Sequence, residues 1–383
     1  MVCKVRDVSK KTSIPFPVNG YAGPESFCDR EDELKLISGY LKGRIPIVII
    51  GIRRLGKSGL IRHLFAKSKS KGVYVDLQKT SSLEGLTNAL ADGIGEAFPE
   101  SKHSQVWDVL KSFRPSITFD PISGSPQFSF SLQRPEQVQQ TLQGLFKILA
   151  SRKEKVIIAF DEFQEIKKYY ESNVEGILRA EMQKFSELHY IFSGSQTNML
   201  NAMFLEGEKP FFANTAKLYL EKIDQSIYAD FIINQFKKHG KQLDQELVDE
   251  LLIWTDIHTF YTQFFCNQLF IYSDKKVTSD NFNWVKGQIL QTAKHDYFQL
   301  NALLSKGQRQ IVYAIAKEEK FYNPSANVHK QKYKLGTSRG IIKNLEALVE
   351  KQLVNLFYDD EGEGYYKLAN IFVMRYIQQY LNI

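Results

Sequence analysis

Ile45-Pro46-Ile47-Val48-Ile49-Ile50-Gly51-Ile52-Arg53-Arg54-Leu55-Gly56-Lys57-Ser58 is the stretch on which the fold turns. A β-branched run enters G-x-x-x-x-G-K-S, and a helical pattern, Gly59-Leu60-Ile61-Arg62-His63-Leu64-Phe65, leaves it. Strand, glycine loop and helix in that order form a phosphate-binding loop, because backbone N–H groups of the loop and of the helix N-terminus converge on anionic oxygens. Gly51 and Gly56 are expected as glycines for the dihedral angles that only glycine takes freely. Lys57 supplies positive charge to the terminal phosphates, and Ser58 offers a hydroxyl to Mg²⁺. Arg53, Arg54, Leu55 and Gly59 complete the loop that would hold the nucleotide.

Further along, Lys155-Val156-Ile157-Ile158-Ala159-Phe160-Asp161-Glu162-Phe163-Gln164 is an apolar strand ending in two carboxylates. Asp161 at the strand end can hold Mg²⁺ through water, and Glu162 can polarise a water for attack on a γ-phosphate. Residues 72–77, 188–195 and 216–220 also read as strands, and 83–98 and 137–150 as amphipathic helices. Alternating strands and helices predict a parallel sheet covered on both faces, with ligands beyond the carboxyl ends of the strands. Gly51, Asp161 and Ser195 each lie at such an end and are expected to converge. Residues 116–130 alternate polar and apolar around a Pro/Gly/Ser centre, which predicts a β-hairpin insertion near 116–132 on the surface.

Upstream, residues 1–22 carry Pro15 and Pro17 with little periodicity and read as an N-terminal arm. In Phe27-Cys28-Asp29-Arg30-Glu31-Asp32-Glu33-Leu34, Asp29 is the expected N-cap with Asp32 at N3. Leu34, Ile37 and Leu41 then mark the buried stripe of a helix that Gly43-Arg44 ends.

From Asp224 to about residue 300 the pattern is all-helical. Its apolar stripes run through Ile227, Phe231, Ile232 and Phe236; Leu247, Leu251, Leu252 and Trp254; and Tyr261, Phe264, Phe265, Leu269 and Phe270. Such aromatics at helical spacing are core, and the bundle is expected to act as a lid. Residues 301–383 predict three helices and a hairpin, the winged-helix pattern, with Thr337 capping the third helix. Residues 305–353 hold ten Lys and Arg against four Asp and Glu, out of a whole-chain net charge of +7. A patch of that kind is the electrostatic footprint of nucleic-acid binding, and Ser338, Arg339 and Lys343 would face a major groove. A protein-contact or rigid end domain explains the same charge equally well. The wing tip, Asp359-Asp360-Glu361-Gly362-Glu363, would repel a phosphate backbone.

Composition sets outer limits. A chain of 383 residues, 43% hydrophobic, can bury a large core and form two or three domains. Cys3, Cys28 and Cys266 are isolated, which suits a reducing compartment and argues against a zinc site or a disulfide framework. No apolar run reaches the ~18 residues a membrane helix needs. The expected setting is cytoplasmic, without a membrane. A kinase reading lacks a second-substrate site, and a metal-dependent nuclease lacks a second carboxylate cluster.

Assembled, these residues resemble an archaeal and bacterial ATPase family close to the AAA+ and STAND NTPases. The matching pieces are Phe27-x-x-Arg30-Glu31-x-Glu33-Leu34, Gly51-x-Arg53-Arg54-x-Gly56-Lys57-Ser58, Asp161-Glu162, Ser193-Gly194-Ser195 and the terminal winged helix. The resemblance implies an α/β fold: a five-stranded parallel P-loop core (23–222) of the additional-strand class, a helical lid (223–300) and a winged helix (301–383). It implies binding of ATP or ADP with Mg²⁺, Ser195 as the sensor of the γ-phosphate, and Phe27 and Arg30 near the adenine end. Where relatives carry Gly-Arg this chain has Ala213-Asn214, so Arg179 is the substitute candidate for an arginine finger. Ile257-His258-Thr259 replaces the family's Gly-x-Pro-like turn. Mg-dependent ATP hydrolysis coupled to DNA or a protein partner is one expectation, with self-association left open. A nucleotide-controlled DNA-binding module with little intrinsic hydrolysis is the other.

Overall fold

The computed structural model describes residues 14–99, 107–108, 111, 115–121, 124–130, 135–171, 173–204, 211 and 214–381. Cys3, most of the expected arm, the end of the 116–132 insertion and Ala213 lie outside them. The chain divides into two compact units, Asn19–Glu221, and Lys222–Ile383 together with Met1–Val18.

In the first unit, β1 (Ile47–Ile50), β2 (Lys71–Asp76), β5 (Val156–Asp161), β6 (His189–Gly194) and β7 (Ala216–Tyr219) form one sheet in the order β2-β5-β6-β1-β7. Every pairing is parallel. β6 is the additional strand, inserted between the phosphate-loop strand β1 and the carboxylate strand β5. Along β1 the side chains alternate: Val48 and Ile50 join one buried cluster, Ile47 and Ile49 the other. Both faces are covered, which is why the strand is a continuous β-branched run and not an alternating one. Register levels the strand ends. Ile50 pairs with Gly194, and Phe160 with Phe192, so Gly51, Asp161 and Ser195 finish at one edge.

The covering helices are α1 (Glu31–Lys42), α2 (Lys57–Lys67), α3 (Leu83–Ala97), α4 (Pro135–Ala150), α5 (Val174–Lys184) and α6 (Thr197–Phe204). α1 corrects one expectation. Its N-cap is Arg30, with φ 79 in the left-handed region and no side-chain cap, so Asp29 does not cap. Glu31, Asp32 and Glu33 still place negative charge in the first turn, where the helix dipole favours it. The hairpin is present, with β3 (Ser116–Phe119) antiparallel to β4 (Pro126–Ser129), but it is not merely superficial. Phe128 and Phe130 are buried in the α3 cluster. Asp92 Oδ1 accepts from Phe128 N at 2.5 Å, and Asn88 Oδ1 from Phe130 N at 3.2 Å.

The second unit holds α7 (Gln225–Lys238), α8 (Gln245–Trp254), α9 (Thr259–Tyr272) and α10 (Ser279–Leu303). On α7 the buried stripe is Tyr228, Ala229, Ile232, Gln235 and Phe236, while Ile227, expected inside, is exposed. Phe16 from the expected arm is buried here, its ring 5.2 Å from Phe236 and its carbonyl bonded by Asn267 Nδ2 at 2.8 Å. α10 runs through residue 300, where a domain boundary was expected. The winged helix follows: α11 (Lys306–Glu318), β8 (Phe321–Tyr322), α12 (Asn327–Lys332), α13 (Ser338–Glu350), β9 (Val354–Tyr358), β10 (Gly364–Leu368) and α14 (Ile371–Tyr380). Thr337 caps α13 as expected, accepting from Gly340 N at 3.3 Å. β8 adds a third strand to the wing, in the order β8-β10-β9. Among the described residues no helix is long and apolar enough to cross a membrane.

Candidate active site

The loop between β1 and α2 turns on Gly56, whose φ of 107 other residues rarely adopt. Arg54 is also left-handed, with φ 63. Gly51 is glycine for a different reason than its dihedrals: a Cβ there would stand 3.0 Å from the Leu220 carbonyl oxygen. Arg53 and Arg54 are exposed, Leu55 is buried, and Gly59 lies one turn into the helix. Lys57 is buried, and its Nζ donates to the carbonyls of Gly51 at 2.7 Å and Ile52 at 3.0 Å. Burial pushes its ammonium below the ordinary lysine value, while Glu162 and Asp161 pull it back up.

Asp161 is the hub. Its Oδ2 accepts from Ser58 Oγ at 2.5 Å and from the Tyr74 hydroxyl. Its Oδ1 accepts from Ser193 Oγ at 2.5 Å and from Glu162 N at 3.0 Å. Tyr74 stays protonated as a donor, because burial and the adjacent Asp161 charge both raise its hydroxyl. Tyr74 comes from β2 and Ser193 from β6, so the strands on both sides of β5 fix the carboxylate. Glu162 takes a left-handed φ of 51 as the chain leaves β5. Its Oε2 accepts from Gln164 Nε2 at 2.5 Å, Ser195 Oγ at 2.9 Å and Ser195 N at 3.3 Å. Gln164 is fully buried, and its Oε1 has no hydrogen-bond partner among the described residues. A Cβ on Gly194 would lie 1.9 Å from that oxygen, so the glycine leaves room for Gln164.

Lys57, Ser58, Asp161, Glu162 and Ser195 therefore meet at one sheet edge. The donor set fits Mg²⁺: one hydroxyl and one carboxylate are hard oxygens, and Mg²⁺ needs few protein ligands when phosphates and waters fill its shell. No cluster of three or more His, Cys, Asp or Glu suited to a metal exists among the described residues.

At the other end of the loop, Phe27 stacks on His63, with centroids 4.1 Å apart and planes 14° apart, and its ring would be 3.5 Å from a Cβ at Gly59. Tyr21 bonds His63 Nδ1 at 2.8 Å and packs edge-on against Phe27. Burial holds the His63 imidazole below its usual value. Arg30 is buried, bonded to Glu33 Oε1 and to the Glu221 carbonyl, each at 2.6 Å. Its guanidinium ties α1 to the chain after β7. Arg179 lies half-buried on α5, the helix that precedes β6 in the chain. Ser338, Arg339 and Lys343 belong to the other unit, exposed along α13, and Ser338 Oγ accepts from Lys330 Nζ at 2.7 Å.

Sequence reasoning missed Tyr74, Ser193, Gln164, Tyr21 and His63. Ser193 was within reach, since it is a polar residue near the carboxyl end of β6, two before Ser195. Tyr74 and Gln164 carry no local signal.

Residues 27–257 match the family described as "ATPase domain predominantly from Archaea", and residues 295–379 match one described as "Probable winged helix domain". No curated protein matches the chain. Among solved structures it is similar to the Walker-type ATPase PABY2304 of Pyrococcus abyssi, at 17% identity and a TM-score of 0.67, covering 95% of this chain and 99% of that one. It is also similar to the ORC2 protein of Aeropyrum pernix, solved as ADPNP–ADP complexes, at 13% identity and a TM-score of 0.60, covering 96% and 98%. At such identities the likeness speaks for the fold, and the five-stranded sheet with its strand-end carboxylates agrees with it. This chain belongs to the archaeal-type ATPase family, as a P-loop protein of AAA+ architecture with a C-terminal winged helix.

Proposed function

We propose that the protein binds ATP with Mg²⁺, hydrolyses it slowly by itself, and uses the nucleotide state to control DNA contact through the winged helix. One observation carries the reading. Ser58, Asp161, Glu162 and Ser195 form a single bonded group beside Lys57. The α2 N-terminus and Lys57 meet the β- and γ-phosphates. Ser58 and Asp161 would hold Mg²⁺, which would neutralise phosphate charge. Glu162 orients the attacking water and accepts its proton. Ser195, bonded to Glu162, would report the γ-phosphate. Phe27 and His63 offer flat surface for a base, with Arg30 holding that end in position. Arg179 is the candidate for a charge-neutralising arginine, and a neighbouring molecule is the other source.

Slow intrinsic turnover follows from Ala213-Asn214 standing where an arginine would neutralise transition-state charge. Glu162 is held through Oε2 by Gln164 and Ser195, which leaves Oε1 for the water. That favours a partner that supplies the arginine. DNA is the partner favoured by exposed Ser338, Arg339 and Lys343 on α13 and by the charge of residues 305–353. Buried, free Cys28 and Cys266 suit a cytoplasmic setting.

The test is Mg²⁺-dependent phosphate release with and without double-stranded DNA. Turnover that rises with DNA supports both halves. No turnover under either condition removes the enzyme reading. Arg339→Ala with Lys343→Ala should weaken DNA retention and flatten its salt slope by about 2. An unchanged slope would turn the winged helix into a protein-contact module.

A further inference from the structure

After α8 the chain turns through Asp256 and Ile257, both left-handed, with φ 55 and 52. Two successive non-glycine residues in that region persist only where the surroundings hold them. Two cations do so. Asp256 Oδ2 lies 2.8 Å from Lys222 Nζ and 2.6 Å from Lys367 Nζ. Burial pushes the Asp256 carboxyl up, but the two ammonium groups outweigh it and hold the group below its ordinary value. Burial lowers Lys222, and Asp256 opposes that shift. The Lys367 side chain, on wing strand β10, is only 9% exposed, so losing its carboxylate would strand a charge inside the fold.

The three residues join distinct parts of the molecule. Lys222 opens the helical unit, and Glu221 before it closes the sheet unit, where Arg30 bonds its carbonyl. Other contacts rivet the turn to the winged helix. Arg375 donates from Nε to the Trp254 carbonyl at 2.8 Å and from Nη2 to that of Ile253 at 3.0 Å, closing the C-terminus of α8. Tyr261 donates to the Ala369 carbonyl at 3.0 Å, and Phe372 packs 4.7 Å from Tyr261. Of these groups, Asp256 alone also reaches the residue at the chain crossing.

We infer that Asp256 is a positioning residue that fixes wing strand β10 to the Glu221–Lys222 crossing, so that movement set at the ATP site is delivered to the wing. This rests on the nucleotide-binding reading above. The sequence of ties is short: Phe27 beside the phosphate-loop helix, Arg30 three residues on, the Glu221 carbonyl, Lys222, Asp256 and Lys367.

Hydrogen exchange on the full chain tests it, in a Glu162→Gln background with and without Mg·ATP. Exchange across residues 51–62 reports nucleotide binding, and exchange across residues 354–368 reports the wing. With the latch intact both respond to nucleotide. Lys367→Met should keep the first response and lose most of the second, and Lys367→Arg should retain both. Asp256→Asn, which leaves two ammonium groups facing each other, is the harsher version of the same change. A full wing response in Lys367→Met overturns the inference, as does a loop response with no wing response in the parent. No loop response strikes the nucleotide reading instead. The latch is then judged without nucleotide: several-fold faster exchange at residues 256–259 and 365–368 in Lys367→Met supports it, and unchanged rates overturn it.

Discussion

Ser193→Ala removes one hydroxyl from the carboxylate that the site is built around. Ser193 is fully buried, and its Oγ donates to Asp161 Oδ1 at 2.5 Å. A hydrogen bond to a charged group contributes about 1.5–3 kcal/mol. The substitution leaves almost no cavity, and Oδ1 keeps the Glu162 N–H at 3.0 Å, so the carboxylate is not orphaned. The loss therefore falls at the lower end, ~1.5–2 kcal/mol for unfolding of the core. Asp161 also loses part of its aim, which predicts roughly tenfold weaker nucleotide binding in Mg²⁺, since ~1.4 kcal/mol is a factor of ten. Binding in EDTA, where Asp161 has no metal to hold, should not change. Urea melts and titrations with a fluorescent nucleotide measure both effects. Tyr74→Phe should behave alike, because its hydroxyl bonds the other oxygen. The double variant should depart from additivity, since the two donors hold the two oxygens of one carboxylate. A stability change below about 0.5 kcal/mol, or equal weakening with and without Mg²⁺, would refute the view that Ser193 acts through Asp161.

Two further outcomes follow from the same geometry. Gly51→Ala presses a Cβ to 3.0 Å from the Leu220 carbonyl, so thermal melts should show a loss of about 1–3 kcal/mol, with loss of nucleotide affinity from the displaced loop. Two buried groups give opposite pH dependence. Burial, with Lys155 and Arg44 nearby, lowers His189 to about 4, below its unfolded value, so its contribution is full above pH 6.5 and is lost as pH falls toward 4. Burial raises Asp92 to about 6, so its contribution is full below pH 3.8 and is lost as pH rises through 6. Each spans up to about 3 kcal/mol, and the two offset in the parent. Asp92→Asn should expose a decline in stability from pH 6.5 to 4 on denaturant melts, and a flat profile would exclude the His189 effect.

The sheet was legible because its signals are local. A buried β-branched run before G-x-x-x-x-G-K-S, and another ending in Asp161-Glu162, state their own periodicity and direction. Their meeting at one edge follows from the parallel order. What escaped was set by partners remote in sequence. Asp29 looks like a cap, but Arg30 is drawn inward by Glu33 and the Glu221 carbonyl, which turns the backbone left-handed before α1. Ile227 fits a stripe as well as Tyr228, and only packing against neighbouring helices chooses between adjacent positions. The 116–130 hairpin reads as surface because its turn is polar, yet Asp92 and Asn88 on α3 bond its backbone and Phe128 and Phe130 fill the core. In the site, Tyr74, Gln164 and His63 sit inside ordinary strand and helix text, and their roles exist only through the groups they touch.

The central claim is that Glu162 activates water in a site that otherwise binds ATP through Lys57, Ser58 and Asp161. Its most direct test compares parent and Glu162→Gln for retention of Mg·ATP and for phosphate release in a single turnover. The account predicts ATP bound at least as tightly by the variant, with release slowed by two orders of magnitude or more, on the order of what positioned general bases contribute. Equal release rates in the two proteins would contradict it.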